Sequence, residues 1–240
     1  WHHGAAVCDY VGDYLKTYRM ELNYNTIPIV ALIECQEYPQ VQEENDEQLL
    51  TSMMQLCEGH ILNAVFLIGD CFQGDWCENS LHYLCRQRRV FQGNNLYSKG
   101  ASYSMREKLL QSEIGRDYVF LGKDKLKSNV GMQVIREGEE TYQVLLDAGE
   151  NWYDAGKKID FMLEGGNVIP LQITSLQQGT SKTADFILSG LPMRPKKTTR
   201  IHMEIHLQSE SILQIKAVDM GFGELFPSSK QEWTEEIALQ

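Results

Sequence analysis

The stretch that decides the fold is Arg200-Ile-His-Met-Glu-Ile-His-Leu207, which Ile212-Leu-Gln-Ile-Lys-Ala-Val-Asp219 follows after a short gap. Apolar and polar residues alternate strictly in the first segment, whose apolar members are Ile201, Met203, Ile205 and Leu207. A period of two predicts a strand with one face in a core and the other in water. Together, the two segments predict an antiparallel β structure in this half of the chain.

Turn-forming clusters extend this pattern over residues 124–240. They are rich in Gly, Asn and Pro, and include Glu164–Asn167, Gln178–Ser181 and Gly190–Pro192. They separate about eight short predicted strands, a spacing typical of a β-sandwich or barrel.

Residues 1–114 have a different pattern, in which predicted helices and strands are mixed. Asn45 and Gln48 form a capping-box-like start for a helix that stops near Gly59. Ala64–Ile68 predicts a short central strand that runs into Gly69. Further predicted elements are a strand in Thr26–Cys35, a helix carrying Leu81 and Leu84, a strand at Arg89–Phe91 and a helix at Asn95–Leu110. This alternation of strands and helices indicates a layered α/β unit. Because an antiparallel β structure follows it, the predicted fold class of the chain is α+β.

The composition is that of an ordinary globular protein with an acidic balance. The 33 acidic and 22 basic residues give a net charge of −11, which argues against partners such as nucleic acid or an anionic membrane. All six cysteines lie within the first 85 residues, and none has Cys-x-x-Cys spacing. We therefore expect reduced, mostly buried thiols and a cytoplasmic location.

The C-terminal half resembles the β-sandwich of DnaK-type chaperones, the seventy-kilodalton heat-shock class. The resemblance depends on Val130-Gly-Met132, on Leu188-Ser-Gly-Leu-Pro192 with Pro195, and on Ile212–Asp219, in the family's order. Upstream, Val65-Phe-Leu-Ile-Gly69 resembles a strand-to-glycine turn in the second lobe of that family's actin-like ATPase. Asn95–Ala101 resembles a helix whose glycine, here Gly100, packs against that turn.

The resemblance implies three regions and a function. Residues 1–114 would be part of the second ATPase lobe, 115–123 an apolar interdomain linker, and 124–240 the substrate-binding sandwich. The family's ATPase turn has two glycines and an arginine, whereas this chain has Asp70 in the second position and lacks the arginine. The first ATPase lobe and the helical lid are also missing, which indicates a divergent, bacterial branch.

The resemblance also implies two candidate sites. An extended hydrophobic peptide or a protein partner would contact six apolar residues of the sandwich: Met132, Val134, Ile135, Phe161, Leu171 and Ile173. On pattern alone, without the resemblance, we favour a core role for these residues. Gly69 and Asp70 would line a nucleotide cleft, although the glycine also fits a simple turn. ATP is expected only in a full-length protein, and no cofactor is expected in this chain.

Two further groups of polar residues are weaker candidates for a functional site. His202, Glu204 and His206 share one predicted strand face, where they form either a zinc site or a solvated surface, and we favour the surface. Arg86, Arg88 and Arg89 form a basic cluster that would meet phosphate or, more commonly, nearby acids. No catalytic set stands out.

The sequence therefore predicts a chaperone-like, non-catalytic binding module. The first alternative is a portion of a degenerate actin-like ATPase whose sandwich serves assembly. The second is a purely structural interaction protein.

Overall fold

The computed structural model describes residues 3–12, 14–38, 44–110 and 112–239. The chain divides into two compact units, Trp1–Gly122 (unit 1) and Lys123–Gln240 (unit 2). Unit 1 is built on a mixed six-stranded sheet and unit 2 on two antiparallel four-stranded sheets, so the fold is α+β with strands dominant.

Unit 1 begins with a three-stranded antiparallel meander and adds parallel strands on both sides. Its strands are β1 (Gly4–Val11), β2 (Tyr14–Asn23), β3 (Ile29–Tyr38), β4 (Leu62–Ile68), β5 (Arg89–Gln92) and β6 (Tyr118–Leu121). The order across the sheet is β5-β4-β1-β2-β3-β6, with β4 parallel to β1 and β6 parallel to β3. Its helices are α1 (Asp46–Cys57), α2 (Glu78–Cys85), α3 (Leu96–Leu109) and α4 (Glu113–Asp117).

The predicted start of α1 is confirmed by its cap. Asn45 is the N-cap, and its side-chain oxygen accepts a hydrogen bond from the Gln48 backbone N–H at 3.1 Å. Asp46 then accepts from the backbone N–H groups of Asn79 and Ser80 at 2.8 and 3.1 Å, which ties α1 to the start of α2. Both helices therefore begin at one connected set of hydrogen bonds.

One face of the unit 1 sheet forms the core of that unit. Alternate β1 residues Ala6, Cys8 and Tyr10 pack with the α1 residues Met53 and Leu56. The intervening β1 residues, which point to the opposite face, are only half-buried. Four of the six free thiols are buried, as expected, whereas Cys35 is half-buried and Cys85 is exposed.

The segments beyond α2 differ in part from the sequence prediction. The predicted linker, 115–123, is mostly regular structure, because it contains the end of α4 and the whole of β6. Every side chain from Tyr97 to Arg106 on α3 is exposed. A Cβ atom added at Gly100 would have no atom within 4 Å, so the prediction that this glycine allows close packing is wrong.

The described residues of unit 2 form eight antiparallel strands. The first sheet has the order β11-β10-β7-β8, formed by β7 (Ser128–Arg136), β8 (Glu139–Leu146), β10 (Val168–Ser175) and β11 (Ser181–Ile187). The second has the order β14-β13-β12-β9, formed by β9 (Gly156–Met162), β12 (Arg200–Ser209), β13 (Ile212–Gly221) and β14 (Glu232–Ala238). Both sheets contribute to one apolar core, so unit 2 is a two-layered sandwich.

The strand that decided the sequence prediction has the expected faces. Ile201, Met203, Ile205 and Leu207 on β12 are at most 7% exposed. Their pattern fixes the register of β12 against β9 and β13, because a slip of one residue would turn this set to solvent.

Candidate functional site

The candidate site is a groove of about 780 Å³ in unit 2, bordered by β7 and β10 of one sheet and by β9 of the other. This volume lies within the range of pockets that hold small molecules or short peptide segments. The strands β8 and β9 are each the last strand of their own sheet. The Lys157 ammonium group at the start of β9 donates to the Val144 carbonyl of β8 at 2.9 Å, whereas the groove lies along the later residues of β9.

The floor of the groove is apolar. Its apolar lining includes Met132 and Val134 of β7, Ile159 and Phe161 of β9, and Ile169 of β10. Met132 and Ile169 are each 3% exposed, whereas Val134, Ile159 and Phe161 are half-buried. Half-buried apolar side chains gain further burial when a ligand covers them, so the floor favours an apolar ligand.

The exposed backbone of β9 gives the groove a second mode of binding. The Leu163 N–H donates to the Thr199 carbonyl at 2.9 Å, which shows that the polar backbone groups of Leu163 face β12. These groups alternate in direction along an antiparallel strand, so those of Asp160 and Met162 point away from β12. An edge strand with outward N–H and C=O groups is a template for an added strand.

The rim of the groove carries charges of both signs. The lining includes the charged residues Arg136, Glu140, Asp160, Glu164 and Lys197. The Lys197 ammonium lies 3.4 Å from a Glu164 carboxylate oxygen, and Arg136 donates to the Gln143 side-chain oxygen at 2.9 Å. The rim is therefore polar around an apolar floor.

Comparison with known protein families identifies both units separately. Residues 1–123 match the C-terminal part of the family of unknown function DUF5716, and this match covers half of the chain. The chain belongs to the DUF5716 family. Residues 125–239 match the domain of unknown function DUF8552. None of the curated proteins matches the chain.

Four of the six predicted peptide-binding residues of this DUF5716 protein come together in the groove: Met132, Val134, Ile135 and Phe161. Leu171 and Ile173 do not reach it, because their side chains point from the interior strand β10 into the sandwich core and are at most 1% exposed. Ile173 instead borders a smaller cavity of about 290 Å³, together with Lys127 and Ser128. The alternative interpretation as core is therefore right for Leu171 and Ile173.

The predicted nucleotide residues lie in unit 1, at the end of β4. Gly69 has φ +99°, and an added Cβ atom would lie 2.1 Å from the Tyr10 carbonyl oxygen, so close packing against β1 explains why glycine stands there. Asp70 begins a short 3-10 helix, and its carboxylate accepts from the Asn94 amide at 3.4 Å. Nucleotide contact at these two residues stays a prediction.

Three of the polar residues singled out from the sequence, His202, Glu204 and Arg88, have identified partners. His202 lies between Asp160 and Glu204, whereas His206 is exposed. Among the residues that the structure describes, no group of three or more His, Cys, Asp or Glu side chains could hold a metal ion. The Arg88 guanidinium lies 5.5 Å from the centre of the Tyr83 ring.

Within the same described residues, no helix combines the length and apolar character that crossing a bilayer requires.

Sequence reasoning did not identify the groove residues Ile159 and Ile169 or the charged rim. The signal for Ile159 was available, since Lys158-Ile-Asp-Phe161 alternates polar and apolar residues and places Ile159 on the same face as Phe161. The rim gave no such signal, because its charged residues come from three separate parts of the chain.

Proposed function

We propose that this chain is a chaperone-like binding module whose sandwich holds an extended hydrophobic segment of a protein partner. The single observation that carries the proposal is the apolar groove beside the free edge of β9. An extended segment would hydrogen-bond to the outward backbone groups of Asp160 and Met162 and place alternate side chains on the floor. Backbone pairing supplies affinity for many sequences, and the floor selects apolar side chains.

The proposal assigns unit 1 to part of an actin-like second lobe. Its support is the run of β4 into the Gly69 turn and the edge strand β6, which pairs with β3 directly before the sandwich begins. In a full-length protein, nucleotide state would act on this segment and change the affinity of the sandwich. ATP hydrolysis is not proposed for this chain, because the Asp70 carboxylate stands where a phosphate would need a neutral backbone cradle.

Fluorescence polarisation with labelled heptapeptides tests the groove directly. We expect peptides with a leucine-rich centre to bind, and Phe161→Asp to weaken that binding about ten-fold or more, because it puts a charge on the apolar floor. Leu225→Ser is the matched control, since Leu225 is 85% exposed and lies outside the groove lining. Circular dichroism would establish that both variants remain folded.

A second set of peptides tests the backbone pairing. Methylation of the backbone nitrogens on one edge of the peptide removes N–H donors and leaves the side chains unchanged. Binding by strand addition requires one edge to be sensitive to this change and the opposite edge to be tolerant. Flat titrations with the whole unmodified panel would overturn the proposal and favour the assembly or structural alternatives.

A further inference from the structure

The strongest unexplained cluster beside the groove is His202, which bridges two carboxylates on the outer face of the second sheet. Its Nδ1 atom is 3.1 Å from the Asp160 Oδ1 atom, and its Nε2 atom is 3.2 Å from the Glu204 Oε1 atom. Asp160 is directly opposite His202 in the β9–β12 register and also lines the groove. The imidazole therefore contacts a rim residue of the candidate site.

The two contacts are both hydrogen bonds only when the ring is doubly protonated. Each carboxylate oxygen accepts a hydrogen bond, and a neutral imidazole has one N–H donor and one acceptor nitrogen. Only the imidazolium donates to both oxygens at once. When the ring loses a proton, one carboxylate faces a nitrogen lone pair and that contact is lost.

His202 is the group in this cluster whose ordinary pKa lies near neutral pH, and exposed Arg200 shares its face of β12 two residues earlier. On β9, Lys158 pairs with Glu204 at 2.7 Å, and on β13, Lys216 is opposite Glu204 and pairs with Glu232 of β14 at 2.9 Å. The β13 residue opposite His202 itself is Val218, which is uncharged. The hydrogen bonds that the ring donates to Glu204 and, with a smaller effect, to Asp160 raise the pKa of His202 above its ordinary value.

We propose that Asp160 and His202 form a proton-dependent charge selector at the rim of the groove. While His202 is protonated, its charge offsets that of Asp160. Once it is neutral, the Asp160 carboxylate is uncompensated and favours a cationic residue flanking the bound apolar segment. The selector rests on the proposed function, because it acts on the segment that the groove binds.

The direction of the pH dependence follows from the raised pKa. The bridge is complete below the ordinary histidine pKa of about 6.5 and is lost as the pH rises through the higher folded-state value. Preference for a cationic flank therefore increases with pH. A unit charge near the rim, screened by water, changes the affinity for a charged flank by about two- to three-fold.

Two capped heptapeptides with the same apolar centre test the selector, one flanked by lysine and one by glutamate. Fluorescence polarisation at about pH 5.5 and about pH 8.5 gives the ratio of their dissociation constants on either side of the histidine titration. We expect the ratio to move about two- to three-fold in favour of the lysine peptide at the higher pH. His202→Gln should remove this movement, whereas His206→Gln, an exposed control on the same strand face, should retain it.

Asp160→Asn supplies a second variant and a second readout. The preference for the lysine peptide at high pH should disappear, and the NMR titration of the His202 ring should move to lower pH, because one carboxylate partner has gone. Peptides that bind with a ratio independent of pH would overturn the selector and leave the groove intact. Failure of both peptides to bind at either pH would overturn the groove and the selector together.

Discussion

The two units of this protein stabilise their sheets in different ways. Unit 1 packs α1 and α2 on one face of a six-stranded sheet, and the residues on the opposite face of β1 are only half-buried. Unit 2 closes two four-stranded sheets on a single core, which buries the inner sheet faces and leaves the outer faces and the strand edges accessible. The candidate groove lies at such an edge.

This difference determines which residues hold each unit together. In unit 1, the critical positions are helix starts and the turn at Gly69, where the chain passes between layers. In unit 2, they are the alternating core residues and the links between loops and strands. Substitutions in one unit should therefore change its stability separately from that of the other, and hydrogen exchange measured by mass spectrometry resolves the two.

The largest expected effect is in unit 2, at the buried ion pair of Arg194 and Asp219. Two guanidinium nitrogens of Arg194 donate to the two Asp219 oxygens at 2.8 Å each, and the Asp219 side chain is fully buried. Burial raises the pKa of Asp219, but the hydrogen bonds that Arg194 and Ser229 donate bring this pKa well below its usual range. Arg194→Ala leaves this carboxylate without its cation, and we expect a loss of about 3–5 kcal/mol in the free energy of unfolding.

The matched control for this pair is Lys216→Ala, which removes an exposed ion pair with Glu232 from the same sheet. Because solvent screens that pair, we expect no change beyond experimental error. Faster hydrogen exchange in Arg194→Ala should be confined to unit 2. Equal acceleration in both units would show that they unfold as one body.

A smaller effect is expected in unit 1 for Gly69→Ala. Backbone at φ +99° is strained for alanine, and the new methyl carbon would lie 2.1 Å from the Tyr10 carbonyl oxygen. The strain alone corresponds to about 1–3 kcal/mol, and the movement of β1 away from the turn adds to it. Thermal unfolding, with exchange measured in β1 and β4, would detect the loss.

Gly100→Ala is a control for which we expect a change of opposite sign in the stability of unit 1. Its Cβ atom would meet no neighbour on the exposed helix α3, and alanine forms helix better than glycine by about 1 kcal/mol. Unit 1 should become slightly more stable. A destabilised Gly100→Ala variant would show that α3 packs more closely than the exposed side chains indicate.

Local patterns in the sequence predicted the features that depend on neighbouring residues. The alternation of Ile201 to Leu207 gave the faces of β12, and Asn45 gave the start of α1. The bond between Arg194 and Asp219 was not predictable, because its partners are 25 residues apart and meet only after the sandwich closes. Leu171 and Ile173 show the converse limit, since an apolar residue on a strand does not reveal whether it faces a groove or a core.

The smallest expected effect is at the cap of α1, where Asn45→Ala removes the acceptor for the Gln48 N–H. Loss of one N-cap hydrogen bond costs about 1 kcal/mol, and exchange should accelerate most in the first turn of α1. Asn45→Ser, which keeps a side-chain oxygen acceptor, should restore most of the stability. If serine and alanine proved equally destabilising, the cap would not be the reason for asparagine, and the start of α1 would depend instead on the hydrogen bonds that Asn79 and Ser80 donate to Asp46.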